Sequence, residues 1–191
     1  MSVELGTTCG YNGGVKTLFT CGHSTRALDE LIGVLKAHGV ERLVDVRAFP
    51  ASRRHPHLAR ESLERALPAA GIEYGWMGRE LGGRRKTTKD SPNSGLRSPG
   101  LRAYADYMGT PDFARGLARL LELASEKRTA VMCAELLWWK CHRSLIADYV
   151  QLVRGWSVRH IQDAGKLLEH KPKKEARVEG ETLVYGQPTL F

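Results

Sequence analysis

The sequence has no apolar run that reaches the about 18 residues of a transmembrane helix, so a membrane-bound protein is not expected. It has no charged-then-apolar opening either. Residues 1–14 are polar and glycine-rich, which argues against an export signal and for a cytoplasmic protein. Cysteine is scarce: Cys9, Cys21, Cys133 and Cys141 are the four, and no two of them have Cys-x-x-Cys spacing. In a reducing cytoplasm these read as thiols rather than a disulfide framework. A structural zinc site has no direct support from such spacing, so no metal site is assigned and the cofactor is left open; a redox or metal role for Cys133, Cys141 and His142 is the least favoured reading. There is no internal repeat. Acidic residues are outnumbered, 21 against 29 Lys and Arg, for a net charge of +8. That surplus favours polyanionic partners through counterion release, although a basic, merely solvated surface would carry the same charge.

What is present is enough for one domain. The 191 residues can close a full core, and 42% hydrophobic with 26% charged residues is a globular composition. Residues 1–15 read as a flexible leader, 16–165 as an α/β domain, and 166–191 as a charged tail. Residues 16–21 form a short apolar run closed by Gly22, a buried strand. Ser24 or Thr25 is placed to cap the helix that follows, in which Leu28, Leu31, Ile32 and Leu35 recur at helical spacing before Gly39. Residues 40–46 are a second strand. This β-α-β unit predicts a mainly parallel sheet flanked by helices, a three-layer α/β architecture. Further strands are expected at 72–76, 129–134 and 157–161, and helices around Leu63, at 101–108, at 111–126 and at 141–153. Residues 79–100 read as a long basic loop, and loops of that length in compact domains are usually functional or disordered.

In such sheets, ligands sit beyond the carboxyl ends of the strands. Polar residues stand at those places here: His23, Asp45 and Arg47, Glu135, then Cys141, His142 and Arg143. His23, Asp45, Glu135, Cys141 and His142 are the candidates for catalysis by proton transfer or nucleophilic attack. Arg47, Arg143 and Arg79 are the candidates for holding phosphate. Each has a plainer alternative. His23 can serve a helix cap, Asp45 and Arg47 share a strand face and can form a structural ion pair, and Cys133 suits a strand interior. A cysteine at a helix start beside His and Arg is expected to be partly thiolate, and the same place would hold a phosphate. The basic loops at 50–60 and 79–100 lie near Tyr74 and Trp76, a pattern that suits a phosphate backbone and stacked bases. Trp138 and Trp139 can stack on a ligand, close a lid or fill core.

Several of these motifs, in order, resemble the domain of unknown function 488 family: Thr20-Cys21-Gly22-His23-Ser24, Leu43-Val44-Asp45-Val46-Arg47 with Pro50, Leu81-Gly82-Gly83, Cys133-Ala134-Glu135, Cys141-His142-Arg143 and Val158-Arg159-His160-Ile161. The resemblance runs from about Leu18 to Ile161. It implies an α/β fold with a shared polar site at these positions and settles no activity. Members are sometimes labelled as related to DNA repair. Separately, Gln187, Leu190 and Phe191 resemble the Gln-x-x-Leu-Phe peptide by which bacterial repair and replication proteins hold the polymerase sliding clamp. An extended tail could offer its apolar pair to a groove. The expectation is a DNA-associated protein of repair or maintenance that binds nucleic-acid phosphates at the strand ends. Alternatives are a small-molecule enzyme with a reactive Cys141 acting on an anionic substrate, and a binding module without catalysis.

Overall fold

The first strand, β1 (Thr17–Gly22), shows why the chain layers as it does. Its side chains alternate between two apolar clusters: Leu18 joins one, and Phe19 and Cys21 join the other. A strand that buries both faces belongs in the middle of a covered parallel sheet. The computed structural model, which describes residues 15–51 and 54–186, bears this out. After β1 come α1 (Leu28–Ala37), β2 (Arg42–Asp45), α2 (Arg60–Ala69), β3 (Glu73–Trp76), α3 (Gly78–Leu81), α4 (Pro99–Met108) and α5 (Pro111–Glu126). They are followed by β4 (Thr129–Cys133), α6 (Arg143–Leu152), β5 (Ser157–Asp163), β6 (Lys166–Glu169), β7 (Ala176–Glu179) and β8 (Thr182–Tyr185). The main sheet has the order β3-β2-β4-β1-β5-β6. Its first five strands are parallel and β6 is antiparallel to β5.

One face carries α1 and α2 through Leu31, Val34, Leu35, Leu63 and Leu67. The other carries α4, α5 and α6 through Tyr104, Phe113, Leu117, Leu120, Leu145 and Ile146. Each such side chain, fully buried, stabilises the fold by roughly 1.5–3 kcal/mol. Pro111 opens α5 at its first turn, and the Thr110 hydroxyl accepts the Phe113 amide. Among the described residues no helix is long and apolar enough to cross a membrane.

Two sequence readings are corrected. Neither Ser24 nor Thr25 caps α1: its N-cap is Ala27 without a side-chain bond, and Ser24 instead turns the chain with a φ of 52°. Residues 166–181 are not a charged surface tail. The β6 strand extends the main sheet, and β7 and β8 pair as a separate hairpin. The reason is that the charges point outward while Leu183 and Tyr185 enter the core. Inside the long 79–100 segment, α3 takes up the start. Its middle is pinned to α4, where the Asp106 carboxylate accepts Ser91 Oγ at 2.5 Å and Asn93 Nδ2 at 2.8 Å. Residues 1–14 of the expected leader lie outside the described residues, as do Gln187, Leu190 and Phe191.

Candidate functional site at the strand ends

The connections after β1 and β2 cross one face of the sheet, and those after β3 and β4 cross the other. Adjacent strands whose chains leave in opposite directions open a crevice at their carboxyl ends, here above β2, β4 and β1. Close approach of the backbones builds its floor. A Cβ on Gly22 would lie 2.0 Å from the Glu135 carbonyl oxygen, so the end of β1 can pass under the segment after β4 only as glycine.

On the α1/α2 side of the floor, Asp45 is completely buried. Its carboxylate accepts the Arg47 amide at 2.9 Å, Arg47 Nε at 2.9 Å, Arg47 Nη2 at 2.5 Å and the Tyr74 hydroxyl at 2.8 Å. Arg47 Nη1 donates to the Leu58 carbonyl at 2.9 Å and meets His23 Nε2 at 3.1 Å. The His23 tautomer follows. Nδ1 lies 2.8 Å from the Ser24 carbonyl, which can only accept, so Nδ1 carries the proton and Nε2 receives from Arg47. Burial first, then the Arg47 charge, pushes His23 down to about 4. Burial raises the Tyr74 phenol, and the Asp45 carboxylate adds to it.

On the other side, two sulfurs and an imidazole converge. Cys133 ends β4, Cys141 closes the loop after it, and His142 is the N-cap of α6. His142 Nδ1 lies 3.6 Å from Cys141 Sγ and 3.9 Å from Cys133 Sγ. The Arg143 amide, first in the helix, donates to Cys141 Sγ at 3.5 Å. The hydrogen bond from Cys133 holds Cys141 well below the usual thiol value, against the cost of burial and with help from the Arg143 charge. The same bond and burial hold Cys133 well above it. Cys21, buried with no such partner, is pushed up to about 11.

The cluster opens on a cavity of about 380 Å³, which is also lined by Arg47, Phe49, Gly83, Arg84, Glu135 and Lys140. Phe49 is 70% exposed, and the Arg84 guanidinium stands 5.6 Å from its ring centroid. Among the described residues neither Arg84 nor Lys140 pairs with a carboxylate.

Beneath the cavity, Arg143 is almost wholly enclosed, at 1% exposure. Its Nη2 donates to the Glu135 carbonyl at 2.5 Å and its Nη1 to the Thr20 hydroxyl at 3.3 Å. From Thr20 a chain of hydrogen bonds runs inward. It passes through His160 Nδ1 at 2.7 Å, from His160 Nε2 to His170 Nδ1 at 2.9 Å, and from His170 Nε2 to the buried Asp148 carboxylate at 2.8 Å. Trp138 stacks on His160 with ring centroids 4.1 Å apart. Trp139 is 43% exposed.

Of the residues expected to form the site, Arg47, Glu135, Cys141 and His142 line the cavity. His23, Asp45 and Arg143 lie under or behind it, and Arg47 and Arg143 are engaged by protein atoms. Arg79 stands exposed on α3, away from the lining. Lys140 was missed because it precedes the Cys-His-Arg triplet and matched no pattern. Phe49, in the loop after β2, carried no signal beyond its place at a strand end.

The family model described as Domain of unknown function DUF488 matches residues 27–150, a span that takes in Asp45, Arg47 and the Cys133–Cys141–His142 group. No curated protein and no solved structure matches the chain.

Proposed function

The chain belongs to the DUF488 family, whose name carries no activity, and from the chemistry of its strand-end cavity we propose that it acts on a phosphate-bearing substrate, with nucleic acid as the substrate class. The observation that carries this reading is the pairing of Arg84 and Lys140 with the exposed Phe49 ring around one cavity. Cations for phosphate beside an aromatic face for a base are the elements of single-strand recognition. Arg84 and Lys140 take the phosphate role because Arg47 and Arg143 are occupied internally. The net charge of +8 draws polyanions toward the molecule. A volume of about 380 Å³ suits one nucleotide, so nucleic acid would enter as a single strand or an extruded residue. Glu135 on the wall offers a carboxylate for proton transfer. The free thiols fit a reducing, cytoplasmic compartment.

The test is fluorescence polarisation with a short single-stranded oligonucleotide over a salt series. Affinity should fall with salt, and the Arg84→Ala, Lys140→Ala double variant should weaken binding and reduce the log–log salt slope by about 1.4, from about 0.7 per phosphate contact. Binding indifferent to salt and to both substitutions would refute the reading. The size of the cavity favours a second reading, a small anionic substrate. A mononucleotide that competes as well as the oligonucleotide would support it.

A further inference from the structure

We propose that Cys133, Cys141 and His142 form a binding site for a soft divalent cation of the Zn²⁺ type, with three protein ligands and an open position toward the cavity. The three ligand atoms lie within 4.8 Å of one another. Around a tetrahedral zinc with sulfur at about 2.3 Å and nitrogen at about 2.05 Å, each sulfur–nitrogen edge is about 3.6 Å. The Cys141 Sγ to His142 Nδ1 distance is 3.6 Å and the Cys133 Sγ to Nδ1 distance is 3.9 Å, so both sulfur–nitrogen edges are close to those of a tetrahedral ligand set.

The second observation is the imidazole tautomer. His142 Nε2 lies 3.2 Å from the Val46 carbonyl, which can only accept, so Nε2 bears the hydrogen and the Nδ1 lone pair faces both sulfurs. A histidine that donates one ring N–H to a backbone carbonyl and aims the other nitrogen at its ligand partners has the arrangement metal sites use to fix ring orientation. One cation would satisfy both sulfurs and this nitrogen at once. Gly83 keeps the flank of this nitrogen clear, since a Cβ there would stand 3.0 Å from Nδ1. The Arg143 amide supplies a hydrogen bond to the Cys141 sulfur at 3.5 Å.

All three residues line the cavity, so the fourth position faces the space that Glu135 and Lys140 also border. Three ligands with an exposed fourth position is the coordination of reactive rather than purely structural zinc. Nitrogen and thiolate donors select zinc, or cobalt in its place, over magnesium and calcium. The cation site stands whether or not nucleic acid is the substrate.

The experiment uses the full chain, purified reduced and without chelator. Elemental analysis should find one zinc per chain, and exchange with Co²⁺ should give a thiolate-to-cobalt charge-transfer band with the visible bands of tetrahedral cobalt. Cys133→Ser and Cys141→Ser should each lose the charge-transfer intensity of one thiolate and weaken metal affinity at least about 100-fold. Cys21→Ser, which alters a buried thiol outside the cluster, should keep full occupancy. Circular dichroism checks that each variant folds, and the thermal midpoint of the wild type, but not of Cys141→Ser, should rise on adding Zn²⁺. A reduced wild type with no stoichiometric metal and no cobalt band overturns the proposal, as does a folded Cys141→Ser that retains both.

Discussion

At Asp45 a carboxylate with no exposed surface is held by Arg47 through the backbone amide, Nε and Nη2, and by the Tyr74 hydroxyl. Removing one partner of a buried pair leaves the other charge without compensation, which costs about 3–5 kcal/mol. Asp45→Ala is therefore expected to lower unfolding stability by that amount, read from urea midpoints at an unchanged slope. A loss below about 1 kcal/mol would show that Arg47 finds other partners. The sequence did place Asp45 and Arg47 on one strand face, and an ion pair was one of the two readings open to them. It could not decide between ion pair and phosphate grip, because that depends on Tyr74 and Leu58 arriving from elsewhere in the chain. Arg143 is similar: its place in the Cys-His-Arg triplet was legible, but its bonds to Thr20 and the Glu135 carbonyl were not. In the sequence the Cys133–Cys141–His142 group reads as a redox or metal group but ranks lowest, for another reason. Its sulfurs are separated by a loop with a single helical turn at Trp138–Lys140, a connection with no characteristic spacing.

Among the elements, β1, β5, the residue following β6 and α6 are tied by the buried chain from Thr20 through His160 and His170 to Asp148, which also receives the Tyr185 hydroxyl at 3.0 Å and the Lys173 amide at 3.2 Å. Burial, then His170 and Arg143, pushes His160 down to about 2. In the unfolded chain the same ring takes a proton near 6.5. Below that pH the unfolded state binds a proton that the folded state refuses, so stability is complete above about 6.5 and falls as the pH drops toward the folded value. Between pH 7 and pH 5 the loss from this one group is up to about 2 kcal/mol. His23 acts with the same sign, from about 6.5 down to about 4. For that reason the comparison is with His160→Gln. The variant should be less stable at pH 7 yet lose less than the wild type on acidification. Parallel stability curves for the two proteins would contradict the assignment. The β-α-β pattern and the long helix Pro111–Glu126 were readable because their apolar periods are regular. Residues 166–185 were not, because strands of four residues with charged outer faces look like a solvated tail until their Leu and Tyr side chains find a core.

For the molecule as a whole, the folding of β6, β7 and β8 changes what the last residues can do. The sequence suggested a charged, extended spacer over residues 166–180 ahead of Gln187, Leu190 and Phe191, with the clamp-type peptide on a long tether. Instead β8 ends at Tyr185, whose side chain is fully buried and whose amide is bonded to Asn93. If the peptide binds a bacterial sliding clamp, the affinity expected of so short a segment is micromolar, about 8 kcal/mol. The Leu190→Ala, Phe191→Ala double variant should remove most of it in calorimetry, because few side chains carry a small interface. Equal heats from both proteins, or none from either, would dismiss the clamp as a partner. Five residues span at most about 17 Å even when fully extended. A partner that grips Phe191 therefore cannot be trailed at a distance like a float on a line. It must ride against the body of the domain, beside the β7–β8 hairpin, and the outer face of that hairpin becomes a surface on which the fit of the pair would depend.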